Sequence, residues 1–255
     1  MKRIIAIVAL VSISFTGFTQ EDEDNQKSNI QTYTPSKLLK KGQWDIKWFN
    51  NLYTETKGRF NGVKSDKVRE NYFTSSFDIF TGVSNSNRLN VGLLFDIRSN
   101  TIGGRDALDV FSFDGERGTA RSGLTSIAPV IKFNPLNNVS NFTVQTAFHI
   151  PLFDEESKDA LFDFNNNGFN QGVFLDQTAY TFQNRFFYDY TLPSGDWQLF
   201  TELNTEYNFG DDKSFANNTF VLAPGVFMSY FPSDKSTVIG FVQHFQRVGD
   251  FKQDF

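Results

Sequence analysis

The feature that most limits what this chain can fold into is alternation. Residues 180–190 read YTFQNRFFYDY, with Tyr180, Phe182, Asn184, Phe186, Tyr188 and Tyr190 on one parity. Thr181, Gln183, Arg185, Phe187 and Asp189 take the other. Successive side chains leave a strand on opposite faces, so a period of two marks a strand. The same period runs through nine segments after Lys41: 43–55, 72–83, 89–98, 124–133, 142–152, 174–192, 197–209, 219–231 and 236–248. In the third, Leu89, Val91, Leu93, Phe95 and Ile97 stand opposite Asn90, Gly92, Asp96 and Arg98. In the seventh, Trp197, Leu199, Leu203, Tyr207 and Phe209 stand opposite Gln198, Glu202, Asn204, Glu206 and Asn208. No convincing helix interrupts the series.

The connections between these segments carry a second pattern. TKGRFNGVKSDKVR reads as a polar loop after the first segment, and SNSNR is the only link after the second. A long stretch from Ser99 to Ser122 follows, then the turn NPLNNVS, then a long loop from Phe153 to Gly172. PSG, the medium loop GDDKSFANN and PSDK complete the order. Consecutive antiparallel strands place alternate links at opposite ends. One end therefore gathers tight turns and the other gathers long loops. That is the layout of an outer-membrane barrel, with short periplasmic turns and apolar-out, polar-in strands. The segments also reach or exceed the roughly 9–11 residues that a tilted membrane strand needs. A soluble barrel of the lipocalin kind shows the same alternation with its faces exchanged, so alternation alone does not separate the two. Several large residues fall on the polar parity, including Phe49, Phe80, Phe200 and Phe227, and they either narrow a lumen or mark bulges. Asn184 and Phe187 pose the same question inside YTFQNRFFYDY.

Composition narrows the partners. The chain has no Cys, which removes disulfides, thiolate metal sites, a Cys nucleophile and an acylated N-terminal anchor. The net charge of −5 argues against nucleic acid, because neutralising phosphates takes a basic surface. Phe supplies 31 of 255 residues, more than a soluble domain ordinarily carries. Met1-Lys2-Arg3 followed by an apolar run to Phe18 reads as a secretory signal peptide over residues 1–19. Its removal takes away two positive charges and leaves −7. Residues 20–41 then read as a flexible, polar periplasmic lead-in, and residues 42–255 as the barrel.

From Gly42 onward the chain resembles the outer-membrane β-barrel proteins of Gram-negative bacteria, in the broad porin-like transporter group. The resemblance rests on the repeated alternating segments, on turns such as LPSGDW and FPSDKS, and on two Ala-Pro strands, IAPVIKFNP and LAPGVFMSYFP. Those two strands also read as a weak internal repeat. The resemblance implies an up-and-down barrel in the cell outer membrane, with lipid and the barrel-assembly machinery as partners. It implies no cofactor and names no solute. Bacterial barrels have even strand numbers, so nine readable strands imply a complete barrel of 10 or 12. The stretch GDFKQDF at the end reads like the start of an outer loop, which suggests a truncated chain or a missed strand.

The function expected from this is a passive channel or transporter for small solutes. Its lumen would be lined by Asp45, Lys47, Asp78, Asp96, Arg98, Arg185, Glu202 and Glu206, whose mixed signs predict weak ion selectivity. Two alternatives stand beside it: a non-conducting surface barrel with binding loops, and a lipid A-modifying barrel hydrolase. For the latter, FNNLYTETKGRFNG at 49–62 resembles the N-terminal signature of lipid A 3′-O-deacylases at Asn50, Tyr53, Thr56, Phe60 and Gly62. Asn51 and Lys57 stand where that signature has Asp, so a His149 base would lack its orienting acid. Asp163, Asn165 and Asn167 begin a calcium-loop pattern that lacks its closing Glu, since Phe174 stands there. His149 and His244 are isolated from other metal ligands in the sequence and read as lumen hydrogen-bonding groups. The loop SFDGERGTAR mixes Asp114, Glu116, Arg117 and Arg121 and is a candidate recognition loop.

Overall fold

In the computed structural model of the chain, the residues described are 36–60, 62–113, 119–152, 179–210, 216–233 and 236–251. They are almost wholly strand: β1 (Trp44–Phe60), β2 (Val63–Gly82), β3 (Leu89–Thr101), β4 (Ala120–Phe133), β5 (Phe142–Pro151), β6 (Tyr180–Thr191), β7 (Trp197–Phe209), β8 (Ala216–Ser233), β9 (Ser236–Gln243) and β10 (Gln246–Phe251). From β1 to β9 each strand pairs antiparallel with the next in chain order, β10 also pairs with β8, and the sheet curls into a half-barrel. β9 and β10 are two halves of a ninth strand, since both pair with β8. Among the described residues no pairing joins β1 to that ninth strand. The two run in the same direction, so pairing them directly would be parallel. No helix among the described residues is long and apolar enough to cross a membrane. One short 3-10 helix, Ala107–Ser112, lies in the long β3–β4 connection, where the sequence suggests none.

The Ala-Pro pairs explain where the ladder breaks. The register of β8 with β10 ends at Leu222–Gln246, and that with β9 resumes at Gly225–Gln243. The gap faces Ala223-Pro224, and the His244 amide donates to the Pro224 carbonyl at 2.9 Å. β4 and β5 show the same gap, between Ile127–Ile150 and Val130–Ala147, at Ala128-Pro129. Proline brings no N–H to a ladder, so each pair interrupts the bonding to the following strand. The repeat visible in the sequence is thus a repeated interruption. A third irregularity sits between Asp96 and Ile97, where Thr125 of β4 is left over and its hydroxyl donates to the Asp96 carbonyl at 3.1 Å.

YTFQNRFFYDY contains no bulge. Its register runs unbroken from His149–Thr181 to Phe142–Tyr188 on one side and along all of β7 on the other. Phe187 is therefore a true inward residue. Asn184 stays on the outward face, where its register partners are Thr146 and Thr205. The Thr146 hydroxyl donates to Asn184 Oδ1 at 2.8 Å, and the Thr205 hydroxyl donates to the Asn184 carbonyl at 3.2 Å. A polar residue on an apolar face is tolerated here because its hydrogen bonds are met within the sheet.

The convex face is mainly aromatic and aliphatic, with Asn50 and Ser75 as a further polar pair, the Ser75 hydroxyl accepting from Trp48 Nε1 at 2.7 Å. Trp48, Phe77 and Phe95 stack across three strands with centroids 5.5 and 4.6 Å apart. Trp197 and Tyr230 stack at 4.5 Å near the tight-turn end. Trp44, Ile46, Phe182, Leu203, Leu222 and Val226 stand exposed on this face.

Two stretches differ from the sequence reading. The polar loop after the first segment is mostly strand: β1 and β2 continue past their neighbours and turn between Phe60 and Val63, with Gly62 at φ 83°. Asn-Gly is the dipeptide that two-residue hairpins favour, and it outweighs the polarity of the arms. Glu55 lies opposite Glu70 in this hairpin, and Lys67 bridges both at 2.9 and 2.7 Å. Those hydrogen bonds, Glu55 first, hold the Lys67 ammonium above its ordinary pKa. Partial burial opposes the Glu70 carboxylate, but hydrogen bonds from Lys67 and Tyr72 outweigh it and lower its pKa. The second stretch is the lead-in. Its final residues, from Ser36, are packed against the concave face rather than free.

The 3-10 helix is held by the Ser99 hydroxyl, which donates to the Val110 carbonyl at 2.5 Å, by Phe73 against Phe111, and at its start by one amide. Asn71 is fully buried, accepts from Thr54 at 3.0 Å and donates to Thr101 at 2.9 Å. The same Nδ2 lies 3.2 Å from the Arg105 carbonyl and 3.3 Å from that of Asp106. Asn71→Ala leaves these groups without a partner, at a cost of about 1–3 kcal/mol. Faster hydrogen exchange at residues 105–112, with β3 unchanged, is the expected result; equal exchange would show that Asn71 does not hold the segment.

The concave face as candidate functional site

All eight residues expected to line a lumen lie on the concave face. Asp45 and Lys47 come from β1, Asp78 from β2, Asp96 and Arg98 from β3, Arg185 from β6, and Glu202 and Glu206 from β7. Lys47 is the register partner of Asp78 and makes an ion pair of 2.8 Å with Asp45. Arg185 Nε donates to Glu202 Oε1 at 2.7 Å across β6 and β7. Ser126 donates to Asp96 at 3.4 Å. Two ionic groups therefore form, one around β1–β2 and one around β6–β7.

A band of rings, which the alternation only hinted at, crosses the same face. Phe187 stacks on Phe200 at 6.1 Å, Phe200 meets Phe227 at 5.3 Å, and Phe227 stacks on Phe241 at 5.6 Å. Lys132 continues the band on the other side: its Nζ lies 5.3 Å from the Phe187 ring and 5.9 Å from the Phe80 ring. The Arg185 guanidinium also lies over Phe187, at 5.0 Å. Cations over ring faces are attracted by the ring quadrupole, and burial strengthens the attraction. Phe80, Phe200 and Phe227 are thus inward residues that fill the concavity, not signs of slipped parity. Phe49 lies on this face too, opposite Ser76, and is half exposed. Lys132 is missing from the sequence-based lining. The signal for it was present: it is the one cation on the inward parity of IAPVIKF, after Ala128 and Val130.

Among the described residues His149 does not gain a carboxylate. Its Nε2 lies 3.3 Å from Gln183 Oε1, and Gln183 in turn donates to Glu206 at 3.0 Å. Asn204 donates to the same Glu206 oxygen at 2.9 Å. An amide between ring and acid positions both but passes no proton directly. Asn51 and Lys57 lie on β1, four strands away from His149 on β5. His244 sits in the gap between β9 and β10. Among the described residues no group of three or more His, Asp or Glu gathers to hold a metal. The calcium pattern at Asp163, Asn165 and Asn167 lies outside the described residues, as do Asp114, Glu116 and Arg117 of the recognition loop.

No protein-family model matches the chain, and no curated protein matches it.

Proposed function

We propose that this chain is an outer-membrane β-barrel of the porin-like transporter group that passes small solutes by diffusion along its concave face. The observation that carries the proposal is the division of the two faces. Ion pairs and buried amides line the concave side, while Trp, Tyr, Phe, Leu and Val stand bare on the convex side. A soluble barrel puts its apolar side chains within and its charges outside. Hydrocarbon in contact with the convex face accounts for the reverse arrangement. The secretory signal read at residues 1–19 and the alternating link lengths support the same location. Pairing with lipid outside and with solute and water inside needs no cofactor.

The purified full-length protein is expected to show a heat-modifiable gel shift and to conduct in planar bilayers with weak ion selectivity. The weak selectivity follows from the cancelling signs of Lys47 with Asp45 and of Arg185 with Glu202. A silent bilayer at high protein load would remove the channel reading and favour a closed surface barrel. A water-soluble monomer without detergent would remove the membrane reading altogether.

A further inference from the structure

The chain enters its own barrel from the inside. Ser36 is buried, and its carbonyl accepts from the Thr143 hydroxyl of β5 at 2.5 Å. Leu39, with Leu94, packs against the cluster formed by Phe80, Ala128, Val130 and Ala147, four inward residues of β2, β4 and β5. The Leu39 amide donates to Asn90 of β3 at 3.2 Å. Lys41 bridges to Gly82 at the end of β2, and the Gly42 amide donates to the Gly82 carbonyl at 2.8 Å. Between Ser36 and Lys41 the chain thus crosses from β5 to β2. Three strand spacings are about 14 Å, and five extended residues span up to roughly 18 Å, so the crossing is a nearly taut chord. It lies at the tight-turn end, since Gly82 closes β2 and Thr143 opens β5.

Two features show that the wall is shaped for this chord. The patch under Leu39 is apolar and small, and apart from Leu39 only Leu94 among the partly buried hydrophobics packs on it, so without the chord more of it would meet water. Gly82 supplies the second feature. A Cβ there would lie 2.2 Å from the Lys40 carbonyl oxygen and 2.6 Å from that of Leu39. The backbone of Gly82 needs no glycine on conformational grounds, because its φ is not positive. Its missing side chain is the space the chord occupies.

We propose that residues 36–42 form a displaceable strap that closes the tight-turn mouth of the lumen, with Gly82 as its seat and Leu39 as its anchor. The proposal rests on the solute-passing reading given above. Seated, the strap covers the apolar patch and obstructs passage; released, it opens the mouth. Release costs the burial of one Leu side chain and a few hydrogen bonds, a magnitude that thermal opening reaches.

The test uses the full chain with Ala147→Cys as its single thiol, since the sequence has no other. Ala147 is buried in the cluster that Leu39 packs against. Labelling by a membrane-impermeant maleimide is measured alone, with Gly82→Ala, and with Leu39→Asp. Leu39→Asp changes no residue of the wall, so it tests the strap even if Gly82→Ala disturbs β2. Labelling several-fold faster in both variants, together with a raised open-state conductance in bilayers, is expected. Equal labelling rates overturn the strap, as does faster labelling with conductance unchanged from a conducting wild type. Faster labelling with no current from any variant retains a displaceable cover and overturns the passive channel instead.

Discussion

Leu203→Arg is expected to lower the unfolding free energy by about 2–4 kcal/mol in a bilayer, whereas Asn204→Arg changes it little. The two residues are adjacent in the middle of β7, so strand position, propensity and depth are nearly matched. They differ in face. Leu203 stands outward beside Phe186 and Pro224, its register partners, while Asn204 points to the concave side and donates to Glu206 at 2.9 Å. An arginine at 203 meets hydrocarbon if the convex face meets lipid. An arginine at 204 meets water and the carboxylates Glu202 and Glu206. Urea-driven unfolding of both variants in lipid vesicles measures the difference. If Asn204→Arg is the costlier change, the faces are reversed and the molecule is a soluble barrel. Equal, small effects would place both faces in water.

How far the sequence leads can be judged from the same strand. β7 was readable residue for residue, Trp197 to Phe209, because its period of two is unbroken and turns flank it. β6 looked irregular only because a strict polar-in rule expects neither Phe187 nor Asn184. Both obey the parity. The deviation lies in chemistry: the inward face carries a band of rings, and the outward face tolerates an amide flanked by Thr146 and Thr205. Parity is a local property and survives in sequence. What an inward ring packs against is decided by strands β2, β4, β7 and β8, which no local pattern reports.

The misread stretches fail for the same reason. TKGRFNGVKSDKVR is polar on both parities, so periodicity carried no strand signal; the Asn-Gly dipeptide in its sequence and the Lys67 bridge to Glu55 and Glu70 carry it instead. The lead-in ends in LLKK, and its polarity hid the fact that Leu39 finds its partners on three strands far along the chain. Which charged residues share a face, by contrast, was legible, because membership of a face needs only parity. Their pairing was not. Arg185 meets Glu202 through a register that the sequence leaves open.

Phe187→Ala is expected to cost about 3–5 kcal/mol, the range for removing a large ring from a packed site. Phe187 is 2 % exposed on the face that a passage model would leave most open, so its burial comes from contacts and not from lipid. It stacks on Phe200 and carries Lys132 and Arg185 over its ring. Removing it strips one of two rings from a buried ammonium that has no ion pair among the described residues, and it lifts support from the guanidinium that holds Glu202. Phe187→Leu restores bulk without a quadrupole, so it separates packing from cation–π attraction, which contributes on the order of 1 kcal/mol or more when desolvated. Tyr188→Ala, one residue on and outward, is the control. Unfolding in detergent that places Phe187→Ala well below Phe187→Leu, with Tyr188→Ala near wild type, fits a concave face tied together by its ring band. If Phe187→Ala and Tyr188→Ala cost the same, the band does not hold β2, β4 and β6 to β9 in their curl, and the backbone ladder alone must do so.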